Sequence, residues 1–188
     1  MRVYLVRHPE PISATGLCYG RTDLAVAEEA VDAVAERVNL IVGHPLTHCF
    51  SSPLSRCLSL ARRLCPDVRV DDRLVELDFG LWEGRLWEDL DRDEFEDWAE
   101  NYVNQRVPGG ESWEDVRQRA VSFLADLRTW DVDGVAVVTH SGVIRAVLAQ
   151  VLGIALEPTW HIHIPFGCII TIDLGASTTD DHLVALAE

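Results

Sequence analysis

The segment Gly134-Val-Ala-Val-Val-Thr139 constrains this chain more than any other. A strand covered on one face alternates apolar and polar residues, so a near-continuous apolar run calls for protein layers on both sides. Ser141 then offers a cap for a helix running to about Leu152. Residues 2 to 6 and Leu46 to Phe50 read as further strands, and two more are expected around 168 to 174 and 183 to 187. Between them, the Ala, Val and Glu of 24 to 38 suit a helix from Asp23 onward. Ser52 followed by Pro53 predicts an N-cap and a helix from 53 to about 64, ended by Pro66. Ser112-Trp-Glu-Asp115 reads as a capping box ahead of Trp113, Val116, Ala120, Phe123, Leu124 and Leu127 at helical spacing. Strands alternating with helices predict an open α/β sheet, in which ligands collect beyond the carboxyl ends of the strands. With no repeat or low-complexity break, residues 1–188 are expected to form one domain.

Composition narrows the partners. Lys and Arg number 16 against 31 Asp and Glu, a net charge of -15, and no basic cluster is present. Nucleic acid and anionic membranes are therefore not expected as ligands. Arg7 and His8 interrupt the amino terminus before a signal-peptide apolar region is complete, and Arg145 and Gln150 interrupt the most apolar helical stretch, which predicts a soluble, cytoplasmic protein. Five cysteines (18, 49, 57, 65 and 168) without a C-x-x-C pair point to buried thiols rather than a disulfide framework or zinc ribbon.

Three strand-to-helix junctions carry the residues suited to chemistry: Arg7-His8 after the first strand, Arg56 in the turn after the second, and His140 after the strand at 134–139. The expected topology brings all three to one edge of the sheet, where helix amino termini near Pro53 and Ser141 add unpaired N–H groups. Together they make an anion site in an acidic protein.

These residues fall in four ordered motifs: Leu5-Val-Arg-His-Pro-Glu-Pro11, Ser51-Ser-Pro-Leu-Ser-Arg56, Glu76-Leu-Asp-Phe-Gly80 followed by Trp82-Glu-Gly84, and Thr139-His-Ser-Gly-Val-Ile-Arg145. In this they resemble the histidine phosphatase superfamily that includes cofactor-dependent phosphoglycerate mutase. More narrowly, Arg7-His-Pro-Glu-Pro11, Cys18-Tyr-Gly-Arg-Thr-Asp23 and Pro108-Gly-Gly-Glu-Ser112 look like the α-ribazole phosphatase branch, which acts in assembling the lower ligand of cobalamin. The resemblance implies a three-layer α/β/α fold with an open, mostly parallel central sheet, hydrolysis of a small-molecule phosphate monoester such as α-ribazole 5′-phosphate, and no cofactor or metal. It admits a homodimer. A broad phosphomonoesterase, a phosphoglycerate mutase-like enzyme and a catalytically silent phospholigand-binding module remain alternatives.

A phosphate monoester is a dianion that resists attack until its charge is neutralised and a good nucleophile is present. His8 as a neutral imidazole suits the nucleophile, its other ring nitrogen held by a backbone carbonyl, and nearby arginines favour that neutral state. Arg7 and Arg56 suit the grip on the phosphoryl oxygens, completed by His140 as a donor, with Ser141 beside it. The resemblance assigns the general acid to Glu76, with Glu83 as rival, and places Gly20 and Arg21 in a loop closing over phosphate and substrate, although Arg21 also reads as a surface charge. Pro9 stands where the superfamily at large has glycine, which removes an amide donor and leaves only a carbonyl. Arg145 is expected to pair with a carboxylate. The aromatics of 82 to 102 either pack a helix pair or form a substrate lid, Trp113 and Trp130 read as core, and His161-x-His163 places two imidazoles on one strand face without a third metal ligand.

Overall fold

The structure, a computed structural model, describes residues 1–187. Its strands are β1 (Arg2–Arg7), β2 (Cys49–Ser51), β3 (Val68–Val70), β4 (Gly134–Thr139), β5 (Ile169–Asp173) and β6 (His182–Ala187). The α-helices are α1 (Glu28–Val42), α2 (Ser55–Leu64), α3 (Arg92–Glu100), α4 (Trp113–Leu127) and α5 (Ser141–Leu152). The strands form one sheet in the order β3-β2-β4-β1-β5-β6. The pairs β1–β4, β2–β4 and β2–β3 are parallel, and β5 runs against both its neighbours, so the sheet is mostly parallel as expected.

Period-two alternation on β1 and β4 divides the apolar side chains between two cores. Val3, Leu5, Val135 and Val137 pack with Phe123 and Leu124 of α4 and Ile144 and Leu148 of α5. Tyr4, Val6, Ala136 and Val138 pack on the other side with Val31, Val34 and Val38 of α1 and Leu60 and Leu64 of α2. Burial on both faces accounts for the unbroken apolar run at 134–139.

Several boundaries differ from the sequence reading for identifiable reasons. Val26 is drawn into an extended bridge with Pro11, so α1 starts at Glu28, and it continues to Gly43, whose φ of 74° stops it with an N–H donated to Asn39 O. Helix α2 starts at Ser55 rather than 53, because Leu54 is extended. His140, not Ser141, is the N-cap residue of α5, and Ser141 is its first helical residue. Ser112 and Asp115 do form the reciprocal capping box at α4. Strand β3, three partly exposed edge residues, has no pattern a sequence reading could find. Among the described residues, no helix is long and apolar enough to cross a membrane.

Register sets up the site. Arg7 is opposite Thr139 and Ser51 opposite Val138, so residues 8, 52 and 140 leave three parallel neighbouring strands side by side. The amide of His8 donates to Thr139 O (3.0 Å), and that of Ser52 to Val138 O (3.0 Å).

Candidate active site

His8 is 2% exposed, and its Nδ1 lies 2.6 Å from the Pro9 carbonyl. A carbonyl only accepts, so Nδ1 carries the proton and Nε2 keeps its lone pair. Burial first, then the charge of Arg56, and more weakly that of Arg7, hold the His8 imidazole well below its ordinary value, against the opposing effect of the Pro9 hydrogen bond. The sequence reading gave the arginines that role; desolvation is the larger cause.

His140 is fully buried, with its ring centroid 5.0 Å from that of His8. Burial and the neighbouring His8 and Arg56 push it far down as well. Arg56 Nε, which only donates, lies 3.4 Å from His140 Nδ1, so His140 Nε2 carries the hydrogen that Ser52 Oγ accepts at 2.9 Å. Donation from Nδ1 to a phosphate requires the other tautomer, and the Ser52 hydroxyl suits it because it can donate to Nε2 in turn. Cys57 Sγ sits 3.5 Å from the same nitrogen, its thiol pushed up by burial. Neither Ser52 nor Cys57 was singled out from sequence, where Ser52 reads as a helix cap.

Arg56, also fully buried, is held by two carbonyls of a distant loop: Nη2 donates to Gly20 O (2.5 Å) and Nη1 to Thr22 O (2.8 Å). That loop is fixed by Glu83. Its carboxylate accepts from the amides of Gly20 (3.0 Å), Arg21 (2.9 Å), Thr22 (2.9 Å) and Phe79 (3.1 Å) and from the Thr22 hydroxyl. Burial pushes the Glu83 carboxyl up, but the hydrogen bonds from Thr22, Arg21 and Gly20 outweigh it and hold the group below its ordinary value. An ionised acceptor with its lone pairs engaged is unsuited to proton donation. Position 20 must be glycine, since a Cβ there would lie 1.7 Å from Leu77 O.

Glu76 is 9% exposed at the amino end of α5. Its Oε1 accepts from Leu77 N (3.0 Å), and its Oε2 from Gly142 N (3.1 Å) and Ser141 Oγ (3.4 Å). Gly142 makes room: a Cβ would sit 2.2 Å from the Trp113 ring and 2.3 Å from Glu76 Oε1. Arg119 of α4 clamps the backbone beneath, donating to the carbonyls of Arg73 (2.8 Å), Val75 and Glu76 (3.1 Å).

Arg7, His8, Arg56, Glu76, His140 and Ser141 thus line one cavity of about 440 Å³, with Tyr19, Phe79, Trp87, Trp98, Tyr102, Trp113 and Trp160 on its other walls. Gly20 contributes through its carbonyl, behind Arg56. Arg21 is not in the cavity wall; its guanidinium faces Asp78 and Glu111 at 3.4 Å each. The aromatics of 82 to 102 split between the two expectations: Trp82 is fully buried in the core, whereas Trp87, Trp98 and Tyr102 reach the cavity. Trp113 is buried and also meets the cavity. Arg145 corrects its expectation, bonding the carbonyls of Thr159 and Ile162 rather than a carboxylate. His161 ends a 3-10 turn, so it and His163 are not on a strand.

Known proteins resemble this chain over nearly its whole length. The family described as Histidine phosphatase superfamily (branch 1) matches residues 3–184. Phosphoserine phosphatase 1 of Hydrogenobacter thermophilus is 30% identical over 89% of this chain and 82% of its own length. The adenosylcobalamin/alpha-ribazole phosphatase of Escherichia coli is 27% identical over 93% and 90%. The crystal structure of the alpha-ribazole phosphatase from Shigella flexneri superposes with a TM-score of 0.89 at 25% identity, covering 100% of this chain and 96% of that one. A matched family over nearly the whole chain, and relatives that are phosphatases by name, make this chain a phosphatase and a member of branch 1 of the histidine phosphatase superfamily.

Proposed function

We propose that the chain is a metal-independent phosphomonoesterase acting through a phosphohistidine at His8, with α-ribazole 5′-phosphate as its substrate. The observation that carries the catalytic part is the buried His8 ring, neutral and with Nδ1 tied to Pro9 O, beside the guanidinium of Arg56 in one cavity. Arg7, Arg56 and His140 hold the three non-bridging oxygens, each charge-assisted hydrogen bond contributing about 1.5 to 3 kcal/mol. His8 Nε2 attacks phosphorus in line with the ester oxygen. As the P–O bond breaks, Glu76 gives its proton to the departing alkoxide, a contribution of about 10² to 10⁴ in rate. The Glu76 carboxylate then takes a proton from water, whose oxygen attacks phosphorus; the N–P bond breaks, and inorganic phosphate leaves with His8 restored.

The substrate rests on separate support. Relatives named as alpha-ribazole phosphatases align over nearly the full chain, and the aromatic walls of the cavity suit stacking of a flat heteroaromatic base carried by the departing sugar alcohol. Labelling with an alkaline detergent quench tests the chemistry: a phosphate ester labelled at phosphorus leaves a base-stable, acid-labile phosphoenzyme in the wild type and none in His8→Ala. Absence of label in both would return the chain to the phospholigand-binding alternative. A panel of α-ribazole 5′-phosphate, phosphoserine and phosphoglycerates tests the substrate, with the highest kcat/KM expected for the first.

A further inference from the structure

A second groove, of about 550 Å³, lies across the wall formed by Arg7 and Trp160, and Arg145, His161, His163 and Phe166 also line it. Its chemistry differs from that of the aromatic cavity. Arg145 is 9% exposed, and its Nη1 donates to Thr159 O and Ile162 O. Arg7 Nη1 donates to Ile164 O at 2.6 Å. These carbonyls supply dipoles but no countercharge. Among the described residues, no carboxylate lies within ion-pairing distance of either guanidinium, in a chain with 31 acidic residues. The Nε of each is buried without a hydrogen-bond partner. Burial, and after it the charge of Arg7, lowers the Arg145 guanidinium from its ordinary value. Aromatic faces hold both forks in place, Phe166 at 3.8 Å from Arg7 Cζ and Trp160 at 4.5 Å from Arg145 Cζ. A buried guanidinium at Arg145 beside a partly buried one at Arg7, each with an Nε that meets no acceptor, is a costly arrangement that an anion offsets.

We propose that this groove is an anion subsite, distinct from the phosphoryl cage, in which Arg145 takes a compact oxyanion, a carboxylate or a phosphate, with Arg7 as the shared wall. The inference goes beyond the α-ribazole 5′-phosphate reading, which leaves the groove unused. The oxyanion has two sources, a distal group on the ester being hydrolysed or free phosphate, and two measurements separate them.

The first compares kcat/KM for phosphoserine and phosphoethanolamine, which differ by a carboxylate, in wild type, Arg145→Gln and Arg145→Lys. For a distal group, Arg145→Gln lowers the ratio of the two about tenfold or more, through KM, and Arg145→Lys falls between. The second titrates inorganic phosphate into wild type and Arg145→Gln followed by phosphorus NMR. For free phosphate, the wild type binds two per chain and the variant one. The inference is overturned if the wild type binds a single phosphate and the variant scales both esters alike, in which case Arg145 only ties α5 to the carbonyls of residues 159 and 162. Should Arg145→Gln fail to fold, Arg145→Lys and the wild-type stoichiometry decide. Hydrolysis of p-nitrophenyl phosphate by the wild type is recorded alongside: its absence refutes the phosphatase mechanism, whereas its presence with a single bound phosphate and no carboxylate effect refutes only the subsite. If p-nitrophenyl phosphate is cleaved but neither amine ester is, the titration decides alone.

Discussion

Replacing Glu83 with glutamine perturbs the site at a distance, because Glu83 touches neither His8 nor the cavity yet holds the loop that holds Arg56. Three amides converge on Oε1, from Gly20, Arg21 and Phe79, while Oε2 receives the amide and hydroxyl of Thr22. The less costly orientation of a glutamine keeps its oxygen on the three amides. Its NH₂ then meets the Thr22 hydroxyl, which can accept, and the Thr22 amide, which cannot. One partly buried amide loses its acceptor and three bonds lose their charge assistance, a destabilisation of about 1.5 to 3 kcal/mol. The Glu83 carboxyl lies below its ordinary value of 4.5 in the folded chain, so its contribution is present above that pH and is lost as pH falls through the folded value. Urea unfolding of wild type and Glu83→Gln should therefore differ by that amount at pH 7 and converge below about pH 4.5. Because Gly20 O and Thr22 O are the two carbonyls that seat Arg56, kcat/KM for an aryl phosphate should fall roughly 10- to 100-fold. A variant that loses the stability but retains kcat/KM within twofold would refute the link from Glu83 through the loop to Arg56.

Glu76→Gln should slow alkyl phosphates by about 10² or more while sparing aryl phosphates with good leaving groups, since only the former need a proton at the departing oxygen; equal losses in a leaving-group series remove Glu76 from the acid role. Both buried imidazoles lie well below the ordinary 6.5, so His8 stays neutral into mildly acid solution, and the acid limb of kcat/KM, corrected for ionisation of the ester, should have its midpoint below 6.5. The same shift has a stability sign: below pH 6.5 the unfolded chain takes up protons that His8 and His140 refuse in the fold, so unfolding free energy falls with pH there, and His140→Gln should flatten that fall. Gly142→Ala should lower the melting temperature and the turnover together, because its methyl group meets Trp113 and Glu76 at once.

The parts of this site legible in the sequence are those fixed by strand periodicity. A doubly covered strand announces itself as an apolar run, and once β1 and β4 are parallel neighbours, Arg7 falls opposite Thr139 and the two histidines must meet. What sequence could not supply is the hydrogen-bond partner, which is non-local. Ser52 has the residue type and position of a helix cap, but its hydroxyl serves the His140 ring 88 residues away. Arg145 has the spacing of a helix-fixing ion pair, but the turn it meets offers the carbonyls of Thr159 and Ile162. The two carboxylates show the point most directly. Glu76 and Glu83 are seven positions apart in one motif and alike in chemistry, yet the 20–22 loop, some sixty residues upstream, saturates the oxygens of Glu83 with donors, while Glu76 is left against the amino end of α5 in the wall of the cavity. The separation of the loop anchor Glu83 from the cavity residue Glu76, the acid we propose, is thus decided by which donors arrive at each carboxylate. For the same reason an exchange of roles cannot be engineered at positions 76 and 83 alone: moving the acid would require the loop that carries Gly20, and with it the seat of Arg56, to move as well.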